Sequence, residues 1–382
     1  MRLNVRFPQV DPNTYEKPET CPYGCGGQEY RRHGSKGERK PLRDVKYSEV
    51  LSYRYACTRC GRTFRVYPRG VSKGAQQSQR LRAMTVILYV LGLSYGAVED
   101  FVNALGSGVG KTTVYNNVQA AGNVARDRQA ASVQRGGKRG VIGADGTFVK
   151  VKGESVEIEV VVDDSSGELL GLDILTSENH EDVRRVIQEV VDAVEPEVLV
   201  TDDHGAYTEV VDEMGLDHQI CRSHMKRNVD DIAASLTQHL ARPEPLPAGV
   251  RLTPAQAQDD LAEMQRLVRE RPADGETQLE AMYDRYKDVP GPENGQRHTV
   301  WYRMRMAVTR LWLRWRHLTL DQHRDDLDGT NNACERLIGW WIKERYRTMR
   351  GYKRTESIRN VVALTARIGA HPGYYDLAEL VG

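Results

Sequence analysis

The sequence predicts an α/β protein whose central mixed sheet is interrupted by an all-α segment and preceded by two small N-terminal modules. Three observations lead to this prediction. Paired cysteines stand near the N-terminus, strand and helix patterns alternate between residues 133 and 225, and strand patterns cease from 226 to 328. With 382 residues, 40% of them apolar, the chain is long enough for two or three domains with buried cores.

Charge is distributed unevenly, although the net charge is only +1. Residues 1–90 hold 18 Lys and Arg against 7 Asp and Glu, residues 141–220 hold 4 against 21, and residues 300–369 hold 15 against 7. Basic flanks suit contact with a polyanion and an acidic centre suits cations, whereas ordinary solvated surface charge rarely segregates in this way. The longest apolar run, MTVILYVLGL, is too short to span a bilayer, so we expect a cytoplasmic protein without a membrane partner.

Four of the six cysteines form two pairs with the spacing of metal ligands. Cys21 and Cys25 lie in CPYGCGG, and Cys57 and Cys60 lie in CTRCGRTF. This spacing is typical of a structural Zn²⁺ site, and a glycine after each second cysteine lets the backbone turn around the ion. Two disulfides are the weaker alternative in a cytosolic chain. We predict a zinc-ribbon module over residues 1–70 that binds one Zn²⁺, with arginines among tyrosines that favour nucleic-acid contact.

Residues 71–132 predict a helix-turn-helix domain. In SYGAVEDFVNAL, Val98, Phe101, Val102 and Leu105 have the spacing of one apolar helical stripe, and Ser94 can cap the helix. The following GSGVGKTTVYN breaks that helix. It resembles a phosphate-binding loop, but its glycine register is one residue short and no strand pattern precedes it, which disfavours an ATPase.

A second helix follows the glycines, with Thr112 as the predicted cap and Val114, Val118 and Ala121 on its inward face. Its outward face would present polar side chains suited to reading adenine edges in a major groove. An ordinary helical hairpin is the alternative. The predicted DNA-contacting residues of this helix are Thr113, Asn116, Asn117 and Gln119.

Between residues 133 and 225 the patterns predict three strands, a helix, a strand, a short helix and a last strand. This order is that of a ribonuclease-H-like fold, a mixed sheet flanked by helices. Residues 226–328 then predict an all-α insertion. Residues 329–382, which include the helical stretch NNACERLIGWWIKERYRTMRGYKR, complete the catalytic domain.

In this order the first and fourth strands are neighbours, so carboxylates at their ends lie side by side. Asp145 and Asp202 occupy these positions, with Asp203 as an alternative to Asp202, and Glu335 is the third acid on a helix across the strand ends. Such a cluster holds two Mg²⁺ or Mn²⁺ ions, which activate a nucleophile and stabilise a leaving oxygen in phosphodiester chemistry. Helix capping by these acids is the alternative.

Four stretches in order resemble bacterial insertion-sequence transposases of the DDE class, in the motif style of the Mutator-like group, over nearly the whole chain. They are GADGTFVKVKG, VLVTDDHGAY, HQICRSHMKRN and TNNACERLIGWWIKERYRTMRGY. The resemblance implies that Asp145, Asp202 and Glu335 bind the metal ions. It also matches Cys221 and His224 to a C-x2-H pair, which either supports the site or supplies half of a second metal site.

Two further groups of residues follow from this interpretation. Tryptophans in the insertion either stack on an unpaired base or belong to a core; they are Trp301, Trp312 and Trp315. Basic residues after the glutamate are expected to contact phosphates without choosing a sequence. These are Lys343, Arg345, Arg347, Arg350, Lys353 and Arg354.

The expected function is cleavage of the 3′ ends of a mobile element and their joining to target DNA. The implied partners are double-stranded DNA, both terminal inverted repeats and target, and further copies of the chain in at least a dimer, because two ends are handled together. The protein would be associated with the nucleoid. A catalytically silent DNA-binding regulator derived from a transposase is the alternative.

Overall fold

The computed structural model describes residues 3–175, 180–242, 245–246, 250–292, 297–349, 351–371 and 373–382. The chain forms two units. The first comprises Met1–Arg135, Phe148–Val156 and Arg336–Gly382, and the second comprises Gly136–Thr147 and Glu157–Glu335. The two units are defined by the contacts between residues. The five ranges predicted from the sequence are defined by expected function, and they stay a prediction.

The first unit begins with short strands and continues into helices. Its strands are β1 (Val5–Arg6), β2 (Asp11–Tyr15), β3 (Tyr30–Arg32), β4 (Glu38–Pro41), β5 (Glu49–Cys57), β6 (Thr63–Val66) and β7 (Pro68–Arg69). β5 pairs antiparallel with β3, β4 and β6. Residues on either side of the second cysteine pair, in VKYSEVLSYRYAC and RTFRVYP, have the alternation of strands, and the structure pairs them as antiparallel β5 and β6.

Three helices follow: α1 (Gln79–Val90), α2 (Tyr95–Ala104) and α3 (Lys111–Arg135). The Ser94 side chain accepts a hydrogen bond from the backbone N–H of Ala97, which confirms the predicted cap of α2. The turn between α2 and α3 follows a helix rather than a strand, as the argument against a phosphate-binding loop required.

Two details of this helical pair differ from the prediction. Val98 and Val102 are buried, but Phe101 and Leu105 are 47% and 46% exposed, because the buried face of this short helix covers only part of the apolar stripe. Thr112 is not a cap, since α3 already begins at Lys111. On α3, the three residues predicted to face inward are buried: Val114, Val118 and Ala121.

The second unit is built on a five-stranded sheet. Its first elements are β8 (Val141–Val151), β9 (Glu154–Asp163), β10 (Leu169–Leu175), α4 (His180–Val194), β11 (Val198–Thr201), α5 (Gly205–Met214) and β12 (Asp217–Ile220). The strand order is β10-β9-β8-β11-β12. β11 runs parallel to β8 and to β12, and β10 runs antiparallel to β9. The predicted element order and the adjacency of the first and fourth strands are confirmed.

Helices dominate the rest of this unit: α6 (Arg222–Leu240), α7 (Pro254–Glu270), α8 (Gly275–Tyr286) and α9 (Val300–Leu318). They share an apolar core that includes Trp301 and Trp315. The predicted start of the all-α insertion at residue 226 falls inside α6, which already begins at Arg222. Within the described residues, no helix is both long and apolar enough to cross a membrane.

The remaining elements are α10 (Asn332–Leu337), a π-helical turn over Ile338–Lys343, α11 (Glu344–Arg347), α12 (Thr355–Gly369), β13 (Tyr375–Asp376) and α13 (Ala378–Val381). α12 packs against α3 inside the first unit. Gly122 permits this close approach, since a Cβ there would lie 2.5 Å from the Cβ of Asn360. The sequence interpretation did not identify α12.

Candidate active site and metal clusters

The strand register aligns the first two predicted carboxylates. Val200 of β11 pairs with Gly143 of β8, so Asp202 and Asp145 each stand two residues beyond the same register position. Neighbouring strands lie ~4.8 Å apart, which brings the two backbones to adjacent positions at one edge of the sheet. Both side chains are half-buried and therefore accessible from solvent.

The adjacent aspartates have different surroundings. The Asp203 side chain is buried and forms ion pairs with Arg310 (2.6 Å) and Arg314 (3.3 Å) of α9. Arg310 also donates to the Asp203 backbone oxygen (2.7 Å). Asp202 instead accepts a hydrogen bond from the backbone N–H of His204 (2.9 Å). Because Asp203 is engaged by two guanidinium groups, Asp202 is the member of this pair that retains an available carboxylate.

Glu335 lies on α10, within a cluster that includes the C-x2-H pair. The ligand atoms of Cys221, His224 and Glu335 all lie within 4.8 Å of one another, with His224 Nδ1 3.5 Å from Glu335 Oε1. Hydrogen bonding to Cys221 raises the pKa of His224. Burial alone would raise the pKa of Cys221, but hydrogen bonds with His224 and Asn331 outweigh burial and lower it.

The negative charges of neighbouring acidic side chains affect the pKa of the Asp145 carboxyl group. Burial raises the pKa of Asp145 to about 6, and the negative charges of Asp202 and Glu335 add to the rise, while His224 opposes it. A cation would remove the repulsion that opposes ionisation of this carboxyl group. The charges of Asp202 and Glu335 therefore act on Asp145, whereas the ligand atoms grouped within 4.8 Å of Glu335 in the described residues are those of Cys221 and His224.

A fourth acid near Asp145 escaped the sequence interpretation. Glu159 on β9 is 1% exposed and accepts hydrogen bonds from the Tyr207 hydroxyl at 2.9 and 3.1 Å. Burial raises the pKa of Glu159 well above its usual range, and Asp145 contributes. The available signal was a glutamate within the apolar run EIEVVVD, where an inward-facing charge is unusual.

Buried hydrogen bonds join the chain segments that carry the three predicted ligands. The Cys221 backbone N–H donates to the Thr201 carbonyl (2.8 Å), and its sulfur accepts from the Asn331 backbone N–H (3.4 Å). The Asn331 side-chain Nδ2 donates to the Ala144 carbonyl (2.8 Å). The backbone carbonyl of Asn331 accepts a hydrogen bond from the Glu335 backbone N–H (3.0 Å).

A cavity of about 370 Å³ opens beside Asp202. Polar side chains from three elements line it, among them His204, Asn228, Asp231 and Arg310. Asp202 lines this cavity, so its carboxylate is open to solvent. A closed structural metal site would not have such an opening.

The four N-terminal cysteines form the other cluster of ligands. All four sulfur atoms lie within 4.8 Å of one another; the Cys21–Cys60 and Cys25–Cys57 separations are 3.8 and 3.6 Å. Zn–S bonds of ~2.3 Å in a tetrahedron place sulfurs ~3.8 Å apart, so the cluster has the dimensions of a zinc site. The backbone N–H of Cys60 is the main reason that the pKa of Cys57 is lowered, to about 7.

The glycines of this cluster have the predicted function. Gly26 and Gly61, each directly after the second cysteine of a pair, have φ angles of +72° and +71°. Such backbone is left-handed and suits glycine. The N–H of Gly61 also donates to the Cys57 carbonyl (3.0 Å), which closes the turn.

Two of the four residues predicted to read DNA bases face the interior of the first unit. Asn117 is buried and donates to Gln77 Oε1 (2.9 Å) and Thr85 Oγ1 (3.0 Å), because its face of α3 packs on α1. Half-buried Gln119 accepts from Asn360 Nδ2 (3.0 Å). The prediction of an outward side chain is therefore wrong for Asn117. Asn116 is exposed and Thr113 is half-buried.

The basic residues predicted after Glu335 include both buried and exposed side chains. Arg345 is buried, with its guanidinium carbon 4.0 Å from the centre of the Tyr89 ring, so it stabilises the first unit instead of facing phosphates as predicted. Arg350 lies outside the described residues. The other predicted members of the segment are exposed: Lys343, Arg347, Lys353 and Arg354.

The tryptophans of the insertion are mainly core residues. Trp301 and Trp315 are 1% and 4% exposed, so neither presents a ring to a base in this structure. Trp312 is half-buried and stacks on Tyr283 with ring centres 5.0 Å apart. The core alternative therefore holds for Trp301 and Trp315.

Comparison with known proteins places the chain among transposases. Residues 74–348 match the model of the transposase IS66 family. The match includes Asp145, Asp202 and Glu335 and begins after the cysteine cluster. It does not confirm the resemblance to the Mutator-like group. No curated protein matches the chain significantly.

Two solved structures show weaker likeness. The HTLV-2 integrase catalytic core domain, in complex with magnesium, is 18% identical over 32% of this chain and 82% of that chain, with a TM-score of 0.20. The Drosophila P element transposase strand transfer complex is 9% identical over 76% of this chain and 78% of that chain, with a TM-score of 0.27. At these TM-scores the likeness carries no conclusion about individual residues.

Proposed function

Because the chain belongs to the IS66 transposase family, we propose that it is a DDE transposase that cleaves the 3′ ends of its element and joins them to target DNA. One observation carries the proposal. Asp145 and Asp202 stand at equivalent positions on adjacent parallel strands, and Glu335 shares their electrostatic environment. Three carboxylates on separate elements, one of which (Asp202) lines an open cavity, favour metal-dependent chemistry on a phosphate over a structural role.

The donor set fits divalent cations that prefer oxygen. Asp145, Asp202 and Glu335 would hold two Mg²⁺ or Mn²⁺ ions. Burial first, and then the negative charges of Asp202 and Glu335, raise the pKa of Asp145, and bound cations would neutralise those charges. When bound, the ions would lower the pKa of an attacking water or 3′-hydroxyl and stabilise the departing oxygen. The neutral form of Asp145 binds metal poorly, so its ionisation is part of site assembly.

Other residues of the second unit would prepare this site. Arg310 and Arg314 hold Asp203 away from the cations, which leaves Asp202 as the ligand. His204 fixes Asp202 through its backbone N–H. The cavity beside Asp202 would admit the DNA backbone next to the scissile phosphate.

The first unit would bind DNA. Its four cysteines would hold one Zn²⁺, and the exposed basic residues after Glu335, with Asn116, would contact the duplex. Terminal inverted repeats and target DNA are the proposed substrates. Because two ends are processed together, the active species would be at least a dimer.

The test compares Asp145→Asn with the wild-type chain on a duplex carrying the terminal repeat of the element, with Mg²⁺. We expect end binding to remain within about twofold, while 3′ cleavage and strand transfer fall ~1000-fold or more, since metal assistance contributes several kcal/mol. Asp212→Asn, at an exposed position of α5, is the matched control and should cleave normally.

Cleavage by Asp145→Asn at the wild-type rate would overturn the proposed function. A wild-type chain that binds the ends but cleaves with neither Mg²⁺ nor Mn²⁺ would instead support the catalytically silent regulator. That alternative has no specific observation in its favour, since all three acids are present.

A further inference from the structure

Two buried residues connect the three segments that carry the proposed metal ligands: Cys221 bonds through its backbone N–H and its sulfur, and Asn331 bonds through its backbone N–H and its side-chain amide. Thr201 directly precedes Asp202, Ala144 directly precedes Asp145, and Asn331 starts the turn that contains Glu335. Cys221 forms hydrogen bonds with Thr201 and with Asn331, and Asn331 forms a further one with Ala144. We call this set of hydrogen bonds the Cys221–Asn331 tie.

The tie is fully enclosed. Asn331 is 0% exposed and Cys221 is 1% exposed, so water does not compete for these hydrogen bonds. Gly143 makes room for the tie, because a Cβ at this position would lie 2.5 Å from Asn331 Oδ1. Within the described residues, Asn331 is held by the bond from its Nδ2 to the Ala144 carbonyl, while its Oδ1 faces Gly143 without a hydrogen-bond partner.

The Glu335 helix needs such an anchor. α10 continues without a break through the π-helical turn into α11, and Glu335 stands in the first turn of this helical run, where helices fray most readily. Mg²⁺ also requires near-ideal octahedral geometry, so small displacements of a ligand weaken binding. A hydrogen bond at the first turn of α10 therefore controls where the Glu335 carboxylate lies relative to Asp145.

We propose that Cys221 and Asn331 are positioning residues that fix Asp145, Asp202 and Glu335 in one metal-binding arrangement. This inference rests on the proposed function. It gives the cysteine of the C-x2-H pair a defined role, that of a sulfur acceptor for the Asn331 backbone N–H. Sulfur suits this role because it accepts at the observed 3.4 Å, a distance at which a hydroxyl oxygen would bond weakly.

The principal test is metal binding by Asn331→Ala in the full chain bound to its terminal-repeat duplex, measured by electron paramagnetic resonance of Mn²⁺. We expect Mn²⁺ affinity to fall ~10–100-fold, the usual range for residues that orient metal ligands. Cleavage should require a correspondingly higher Mg²⁺ concentration and recover in part at saturation. End binding should not change.

Cys221→Ser is the second variant, because Asn331→Ala leaves a buried void and risks misfolding. The serine retains an acceptor that is too short to reach well, so we expect a smaller loss of Mn²⁺ affinity than in Cys221→Ala. Ser223→Ala, at an exposed position of the same helix, should match the wild type.

Gly143→Ala tests whether the space beside Asn331 is needed for the tie, because the added Cβ would meet Asn331 Oδ1. Alone, it should displace Asn331 and weaken Mn²⁺ binding. Combined with Asn331→Ala, it should add little further loss, because both changes remove the same contact. Independent, multiplicative losses would contradict the tie.

The outcomes separate the two proposals. If Asp145→Asn stops cleavage while Asn331→Ala, Cys221→Ala and Cys221→Ser all bind Mn²⁺ like the wild type, the tie is overturned and the proposed function stands. If the wild-type complex binds no Mn²⁺ at Asp145, or Asp145→Asn cleaves normally, the proposed function itself fails. A graded loss of affinity with preserved end binding supports both.

Discussion

The two ligand clusters of this protein differ in how completely the fold assembles them. In the first unit, four sulfurs from two short loops lie at tetrahedral separations, and positive-φ glycines turn the backbone around them. In the second unit, carboxylates from elements up to 190 residues apart act on one another electrostatically, and one of them, Asp202, lines a cavity. Under the proposed function, a site that would only hold a metal is closed by its own loops, whereas one that would act on a substrate is left open.

The strongest test of the difference between the two clusters is a substitution in the cysteine cluster. Cys57→Ser should have the largest effect on stability, because a structural zinc contributes roughly 10–16 kcal/mol of apparent binding free energy in zinc-finger peptides. We expect residues 21–66 to lose protection in hydrogen exchange, whereas Mg²⁺ removal leaves the sheet of the second unit protected. Thr58→Ser, between two of the cysteines, is the control. Native protection in Cys57→Ser would show that the cluster holds no structural zinc.

A comparison of Asp202→Asn with Asp203→Asn would distinguish the proposed metal ligand, Asp202, from its neighbour Asp203, which pairs with arginines. Asp202→Asn should reduce cleavage ~1000-fold or more with little change in stability, because its carboxylate is half-exposed and would bind metal. Asp203→Asn should instead cost about 1–3 kcal/mol of unfolding free energy, since it leaves Arg310 and Arg314 without their partner. Calorimetry and Mg²⁺-dependent cleavage measure the two effects. Exchanged phenotypes would assign the metal to Asp203.

Asp44 tests what stabilises the first unit apart from the cysteines. Burial raises the pKa of this carboxyl group, but hydrogen bonds from Arg80, Ser78 and the Lys46 N–H outweigh burial and lower it from 3.8. A lowered pKa means that the stabilisation is present at neutral pH and is lost as the pH falls below about 4. Asp44→Asn should be about 1–2 kcal/mol less stable at pH 7, and the difference should vanish near pH 2.

Denaturant unfolding of both chains at a series of pH values provides this measurement. Acid releases thiolate-bound metal from both chains alike, so the difference between them isolates Asp44. A difference that grows as the pH falls would contradict the assignment.

The smallest expected effect concerns the exposed basic segment. Lys343→Ala should weaken end binding equally for all sequences and reduce the slope of log affinity against log salt by about 0.9, the effect of one phosphate contact. Arg345→Ala should leave this slope unchanged and lower stability, because Arg345 packs on Tyr89. An unchanged slope in Lys343→Ala would remove that residue from the DNA contact.

Local spacing made the cysteine cluster predictable, and element order made Asp145 and Asp202 predictable. C-x3-C and C-x2-C already contain the turn geometry of the ligands, and adjacency of the first and fourth strands follows from topology. The structure confirms the grouping of the cysteines and that adjacency. The catalytic roles of the acids stay predictions.

Other features depended on tertiary packing that periodicity does not encode. Asn117 has the composition of a DNA-reading residue, yet its helical face packs on α1. Arg345 looks like part of a basic tail but stacks on an aromatic ring. Glu159 lies in an apolar strand and Asn331 in a polar turn, yet both are buried, and their partners lie 48 and 187 residues away. No local pattern identifies such pairs.

The ion pairs of Asp203 have a consequence for anyone who trims this enzyme to a minimal nuclease. Excision of the helical insertion would remove Arg310 and Arg314 and release a second carboxylate next to Asp202. That carboxylate would repel incoming phosphate and compete for cations meant for its neighbour. A truncated version would therefore need Asp203→Asn from the outset, because the insertion supplies the positive charges that neutralise Asp203.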